Sequence, residues 1–323
     1  MSELYIYVTH KDGAPDDSAS ELIAAARKIN PDASVTAIVA GSGDGADTVC
    51  QTVAASGATV FKIANEALAY PNAEIVRNVL VNILPSDAII LVPHDTFGMD
   101  LGPGLSIKLD AAFVSDVIDF EGLEDTDLKI IRQEFSGQVY THVLCDISAG
   151  AVLNIRPGAF KADENQIDEG QIIDKSGDAG DLTARRRFLE VVEAEAGEVD
   201  ITAEDVLISV GRGIEDEDNM EIIFDLAKEM GGEVSCSRPI VDAKWLEKAR
   251  QVGTSGQTVK PKVYLALGIS GSFQHLGGLK GAPFVVAVNK NANAPIFQAA
   301  DVGVVADILD FIPELTEKIS ELN

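Results

Sequence analysis

Short, uninterrupted apolar runs alternate with amphipathic stretches along the first half of the chain. Residues 4–8, 35–40, 59–63 and 88–92 are apolar at nearly every position over strand length. Residues 18–29, 44–56, 74–84 and 98–109 carry apolar residues at helical spacing. A strand that is apolar on both of its faces must be covered on both, which predicts a parallel sheet between two helical layers. The first helix is expected to end before Asn30-Pro31 and the second to close on Gly57. Residues 113–160 read as richer in strands, with 138–144 and 151–155 as candidates.

From residue 161 to 181 the pattern gives way to polar and acidic residues; Arg185-Arg186-Arg187 follows, then an acidic stretch over 193–205 without periodicity. A domain boundary is expected near residue 198, dividing the chain into 1–198 and 199–323. No Gly/Ser or Pro linker, low-complexity tract or internal repeat marks it. The second half restarts the alternation. Residues 206–210 read as a strand, Gly211-Arg212-Gly213 as a turn, and 218–230 as a helix whose apolar face is Met220, Ile223, Phe224 and Ala227, stopped by Gly231-Gly232. Strands follow at 263–267, 284–288 and 302–305, a small-residue turn at 268–272, a short helix at 273–276, and a last helix at 308–322 broken at Pro313. The expected fold class is α/β in two domains, each built on a parallel sheet.

The 323 residues suffice for two ordinary domains, and 46% hydrophobic with only 6% aromatic residues suits Ala/Val/Ile/Leu cores between α/β layers. A net charge of −27 repels phosphate backbones and argues against nucleic-acid binding. It serves solubility, or steers the protein toward a basic partner. The start Met1-Ser2-Glu3-Leu4-Tyr5 lacks the basic-then-apolar pattern of a secretion signal, and no apolar run approaches the roughly 20 residues that span a bilayer. The three cysteines, Cys50, Cys145 and Cys236, form no CxxC pair, which disfavours a cluster, a zinc knuckle or a disulfide framework. A cytoplasmic protein without a membrane span is expected.

Candidate chemistry concentrates in the second half, because parallel α/β sheets bind ligands where strands end and helices begin. The turn 268–275 places small residues where backbone N–H groups can approach an anion, with the Ser270 and Ser272 hydroxyls and the polar Gln274 and His275 at the same rim. Residues 253–258 form a second polar, Gly-rich loop, and Arg212 stands between two glycines just past a buried strand. Each of these has a bland reading as a solvated turn. The acidic residues 215–218 make the following helix start a poor phosphate site. The four histidines, His10, His94, His142 and His275, show no metal-ligand spacing, and neither a nucleophile elbow nor a phosphate-loop lysine motif is present. The turn 41–45 of the first half reads as a turn rather than a nucleotide loop.

Five segments in order resemble the electron-transfer flavoprotein alpha (large) subunit family. VLISVGRGI over 206–214 is similar to the strand and arginine loop that open its FAD domain, and 237–242 to its SR-x-x-VD segment. Residues 251–256 resemble its QVGQTG loop, VYLALGISGSFQHLGGL over 263–279 its signature stretch, and VVAVNKNANAPIFQAADVGVVAD over 285–307 its closing segment. The likeness extends more weakly to residues 98–103 and the helix they open, similar to GRDLAPRLA. Met99 and Gly104 stand where the family usually has arginines, Thr254 replaces a glutamine, Ser272 an alanine and Phe273 an isoleucine.

The resemblance implies an N-terminal nucleotide-hydrolase-like α/β domain that serves as a subunit interface without its own ligand, and a C-terminal doubly wound FAD-binding domain. It places Arg212 beside the isoalloxazine ring, where a permanent cation stabilises the negative charge of the reduced flavin. Ser237, Val252, Gly253, Thr254 and Ser255 are implied to line the flavin and its chain. Ser270, Gly271, Ser272, Phe273, Gln274 and His275 would hold the flavin edge, ribityl chain and pyrophosphate, with His275 adding a hydrogen bond or charge. Asn289, Asp307 and Ile308 would flank the adenosine. The family implies an electron carrier rather than an enzyme, working with a beta subunit that holds AMP or a second FAD. Its electrons come from acyl-CoA or related flavin dehydrogenases and go to a quinone reductase or another acceptor. The alternative within the family is a flavin-based electron-bifurcating complex using NADH and ferredoxin. A self-sufficient flavoenzyme needs a general base beside the flavin, for which the sequence offers no clear candidate, and a flavin-free nucleotide-binding protein is the remaining rival.

Overall fold

The computed structural model describes residues 3–135, 139–161, 170–190, 199–281 and 283–322. The chain divides into two compact units, Met1–Glu190 and Val191–Asn323. The boundary expected near residue 198 lies outside the described residues.

Unit one is built on a nine-stranded sheet. Its elements are β1 (Glu3–Tyr7), α1 (Ser18–Ile29), β2 (Ser34–Gly41), α2 (Gly43–Ala54), β3 (Thr59–Ala64), α3 (Ala73–Ile83), β4 (Ile89–Pro93), α4 (Thr96–Leu109), β5 (Ala112–Glu124), β6 (Asp127–Glu134), β7 (Val139–Asp146), β8 (Ala151–Ile155) and β9 (Ile172–Asp174). The strand order is β9-β3-β2-β1-β4-β8-β5-β6-β7, parallel from β9 to β5 and antiparallel through β6 and β7. Successive side chains of β1 show why the strands read as unbroken apolar runs. Leu4 and Ile6, with Val8 just past the strand, join the core that also takes Leu22 and Ile23 of α1 and Val49 and Val53 of α2. Tyr5 and Tyr7 join the opposite core, with Val76 and Leu80 of α3 and Leu101 and Leu105 of α4. The edge strand β9 lies in the stretch read as merely polar, and all three of its residues are exposed. It is placed instead by a close backbone approach, since a Cβ on Gly170 would lie 1.8 Å from the Ala58 carbonyl oxygen.

Unit two has a five-stranded, fully parallel sheet. Its elements are β10 (Val206–Val210), α5 (Met220–Met230), β11 (Glu233–Cys236), α6 (Arg238–Asp242), β12 (Val263–Leu267), α7 (Phe273–Leu276), β13 (Phe284–Val288), β14 (Val302–Val304) and α8 (Ile308–Ser320), in the strand order β11-β10-β12-β13-β14. The four-residue β11, squeezed between Gly232 and Ser237, is too short to show a period and was not expected. The final helix runs through Pro313 rather than breaking there. Asp307 caps it by accepting from the Leu309 amide at 3.0 Å, and Ile308 and Ile312, backed by Leu315 and Ile319, keep one continuous apolar stripe on the core. Both faces of this sheet are buried too, which completes the α/β, doubly wound architecture.

Candidate functional site

In unit two the chain leaves β10 toward β11 on one side and then returns past it to β12 on the other. The crevice between the carboxyl ends of β10 and β12 is the position where open α/β sheets take ligands. Two glycine turns meet there. Gly211 N–H donates to the Leu267 carbonyl at 2.9 Å and Gly213 N–H to the Gly268 carbonyl at 3.2 Å. A Cβ on Gly211 would lie 2.5 Å from the Gly268 oxygen, and one on Gly213 2.6 Å from the Gly268 Cα. Gly268 itself has φ +64. Only glycine permits this approach, because any side chain would push the two turns apart. Between these glycines Arg212 is exposed, and its guanidinium has no hydrogen-bond or ion-pair partner among the described residues.

The neighbouring loops close on the same rim. Gly271, at φ +82, is packed so tightly on the next turn that a Cβ would stand 2.2 Å from the Ile296 nitrogen, and the Ile296 amide donates to the Ser270 carbonyl at 3.0 Å. Ser270, Ser272, Phe273 and Gln274 are all exposed. The loop 251–257 lies against this turn: Thr254 N–H donates to the Gln274 carbonyl at 2.7 Å, and a Cβ on Gly253 would lie 2.8 Å from that same oxygen. Val252 is tied to β11 through its amide and the Cys236 carbonyl at 2.9 Å, and Ser237 to β10 through the Val210 carbonyl at 3.0 Å. Ser255 accepts from the Gln251 side-chain amide at 2.9 Å, and the Asn289 side chain donates to the Ile269 carbonyl at 2.8 Å. The fold thus gathers Arg212, Ser237, Val252 to Ser255, Ser270 to His275 and Asn289 around one crevice. Asp307 is engaged in capping its own helix, and Ile308 is buried, its Cδ1 3.0 Å from where a Gly268 Cβ would stand. Ile308 therefore supports the turn by packing.

His275 is 5% exposed, and its Nε2 lies 2.8 Å from the Tyr264 hydroxyl. Burial pushes its pKa down to about 4, and a hydrogen bond to the Val252 carbonyl pulls the other way. The imidazole is neutral near pH 7, so it offers a hydrogen bond and not the charge that was one of its expected contributions. Glu215 pairs with Lys290 at 2.6 Å across the crevice. It sits at φ 69 and ψ −45 in a tight three-residue turn closed by the Asp216 amide on the Ile214 carbonyl at 2.8 Å, a strained geometry for a non-glycine residue. Asp216 already caps the Asp218 amide at 3.1 Å, which answers that helix start as the acidic run suggests.

Sequence reasoning missed the Tyr264 partnership and the Glu215–Lys290 pair, because Tyr264 reads as one more apolar position of a strand and the ion pair joins residues 75 apart. The two departures on α4 are also placed. Met99 is exposed, and the Arg77 guanidinium of α3 fills the space over Gly104, with its Cζ 2.5 Å from a would-be Cβ. Arg77 also donates to the Asp100 carbonyl at 2.7 Å. Among the described residues no group of His, Cys, Asp or Glu could hold a metal ion, no helix is long and apolar enough to cross a membrane, and all three cysteines are free and buried.

Residues 200–280, which carry most of this crevice, match the electron transfer flavoprotein FAD-binding domain, and residues 5–195 match the electron transfer flavoprotein domain. The electron transfer flavoprotein subunit alpha of Thermoanaerobacterium thermosaccharolyticum is 30% identical over 324 residues, covering 99% of this chain and 98% of that protein. Its counterpart from Methylophilus methylotrophus is 32% identical over 326 residues, covering 99% and 100%. The lactate dehydrogenase (NAD(+),ferredoxin) subunit LctC of Acetobacterium woodii is 31% identical over 251 residues, 77% of this chain and 59% of that protein.

Proposed function

The chain belongs to the electron transfer flavoprotein alpha-subunit family, and from that premise we propose that FAD lies across the switch point of unit two, held by the loops gathered there. FAD, when bound, supplies reversible electron uptake and release. The residues fit such a group on three counts. The glycine contacts at Gly211, Gly213, Gly268 and Gly271 leave backbone and no side chain at the centre of the crevice. Arg212 is a free cation at its rim, and the Ser270 and Ser272 residues stand exposed beside it. The observation that carries the proposal is the first, a crevice floored by glycines at the switch point of the unit-two sheet.

Each residue then has a task. The guanidinium of Arg212 beside the isoalloxazine ring offsets the negative charge that reduction brings, and as a group that stays protonated it does so at every working pH. Ser237 and residues 252–255 line the ring and its chain. The Ser270 and Ser272 hydroxyls, together with backbone amides of the turn, bind the pyrophosphate and ribityl oxygens, while Asn289 and the start of α8 flank the adenosine. The chain acts as an electron carrier. Its partner is a beta subunit that carries AMP, its donor an acyl-CoA or related flavin dehydrogenase, and its acceptor a quinone reductase or a similar protein. The similarity to the A. woodii subunit supports a second reading, in which the pair is part of a bifurcating complex using NADH and ferredoxin and its beta subunit holds a second FAD. Flavin and nucleotide analysis of the purified pair tests both. One FAD with one AMP per heterodimer fits the simple carrier, two FAD fit the bifurcating complex, and absence of flavin contradicts the proposal.

A further inference from the structure

Strand β11 is an edge of its sheet, with β10 as its neighbour. Along its free side runs the stretch that opens the loop 251–257. That stretch bridges the edge in parallel at Cys236 and Gln251, and the Val252 amide donates to the Cys236 carbonyl at 2.9 Å. Amide and carbonyl groups alternate between the two sides of a strand, so Val234, two residues before Cys236, turns its own pair to the same free side. Side chains answer that pair. The Val234 amide donates to Glu233 Oε1 at 2.8 Å, and the Val234 carbonyl accepts from Arg250 Nη1 at 2.7 Å. The same Nη1 donates to Glu233 Oε1 at 2.6 Å. One ion pair thus finishes the open edge just where the loop's backbone bridge ends.

This pair is shielded. The Arg250 side chain is 16% exposed and that of Glu233 29%, against 77% and 66% for the Lys262–Asp205 pair of the same unit. The Arg250 guanidinium lies over the Phe224 ring of α5, with Cζ 5.9 Å from the ring centroid. Removing one partner would leave the other, and a backbone carbonyl, unanswered in a site with little water, which is the costly way to break such a pair.

The clamp holds one end of the loop that lines the crevice. Arg250 ends the short turn Lys248–Arg250, immediately before Gln251. At the loop's other end the Val259 amide donates to the Gly278 carbonyl at 2.8 Å and the Lys280 amide to the Val259 carbonyl at 2.9 Å. Between the two fastenings the loop closes on itself, the Gln257 amide donating to the Gln251 carbonyl at 2.6 Å. A displacement at its stem is therefore passed on to residues 252–255.

We propose that Arg250 is a positioning residue for the cofactor site: clamped by Glu233, the Val234 carbonyl and Phe224, it fixes the stem of the loop 251–257 on the edge of β11 and so holds residues 252–255 in place around the flavin. The inference rests on the FAD reading above and adds to it a residue that acts through the loop.

The test compares the full chain, with its partner subunit and FAD bound, with the variants Arg250→Met, Arg250→Lys and Glu233→Gln. Methionine keeps an apolar stem over Phe224 and removes the charge and the donors. FAD release is followed by flavin fluorescence on dilution into an excess of a flavin-binding trap, well below the unfolding temperature. Arg250→Met should release FAD roughly tenfold faster, the effect of losing a hydrogen bond to a charged group. Arg250→Lys should recover part of this. Adding Glu233→Gln to Arg250→Met should speed release no further, because the two residues act as one unit. In the FAD-free protein, Arg250→Met should speed hydrogen exchange at 251–257 and leave residues 206–214 unchanged. Wild-type release in a folded Arg250→Met overturns the inference. So does faster release with both segments loosened alike, which is what a general loss of stability gives. If Arg250→Met fails to fold, Glu233→Gln carries the test, since it leaves the Arg250 charge unpaired; wild-type release and exchange in that variant overturn the inference. If the variants hold FAD as the wild type does, this inference falls and the FAD reading stands. If the wild type holds no FAD, both fall.

Discussion

In unit one the strand order turns back between β1 and β4, and in unit two between β10 and β12. By topology both crevices are places for a ligand, yet they are furnished differently. At the first, Tyr7 is 3% exposed and stacks on Phe97 at 5.7 Å, while Asp95 is spent on the α4 amide of Gly98 at 2.6 Å. The adjoining strand ends are knit by Arg156, which holds Asp116 through two hydrogen bonds of 2.8 and 2.7 Å. The Gly41–Gly45 turn lies under His10, whose ring would be 2.9 Å from a Gly41 Cβ and whose Nε2 contacts the Ala40 carbonyl at 3.0 Å. At the second crevice, glycine backbones meet directly and the polar groups at the rim point outward. Strand order offers a site, and the size of the residues at the strand ends determines whether it is left open.

The largest test of this contrast is Gly211→Ala. Its backbone needs no glycine-only angle, so the variant probes close approach alone, with a Cβ placed 2.5 Å from the Gly268 oxygen. We expect a stability loss of about 3 kcal/mol, the upper range for overpacking, and loss of FAD from the purified protein. Full flavin occupancy in this variant would break the comparison. Next in size is the pH response of the polar core of unit two. His275 is held at about 4 against an ordinary 6.5. Between those values the unfolded chain binds a proton that the folded chain refuses, so stability falls as the pH drops through that window. Urea melts of wild type minus His275→Gln at pH 7 and pH 4.5 should differ by roughly 2–3 kcal/mol, and a difference independent of pH would remove His275 from the buried core.

Arg212→Ala sharpens the electrostatic side. Removing the cation should lower the potential for the first electron by about 59 mV, a tenfold change worth about 1.4 kcal/mol. Arg212→Lys should recover part of it, because charge is kept and the planar fork is lost. Spectroelectrochemical titration at full flavin occupancy decides, and an unchanged potential would make Arg212 a solvated turn residue. The smallest expected effect belongs to unit one. A Cβ on Gly45 meets nothing closer than 3.6 Å, so Gly45→Ala should leave FAD content intact and stabilise by about 0.5–1 kcal/mol in chemical denaturation.

Much of this was legible in the sequence, for physical reasons. Strands such as residues 4–8 and 207–210 announce a two-faced core because every position in them is buried. The exposed β9 and the short β11 carry no such signal, and Pro313 misled because the apolar stripe of α8 outweighs one missing hydrogen bond. The glycine turns showed themselves locally. That the loop 251–257 lies on the turn 270–275 came only from the family resemblance, since a backbone contact such as Thr254 to Gln274 leaves no mark in residue type. The Tyr264–His275 pair and the covering of Gly104 by Arg77 were invisible, as each depends on side chains brought together by the fold.

The central claim is that FAD is held at the glycine-floored crevice of unit two. Hydrogen exchange of the purified protein with FAD bound and with FAD removed tests it most directly, because it reports amide protection segment by segment. The account predicts slowed exchange on FAD binding at residues 211–214, 252–255 and 270–275, with the Gly41–Gly45 turn and residues 94–98 of unit one unchanged. Protection confined to unit one, or none at residues 270–275, would contradict it.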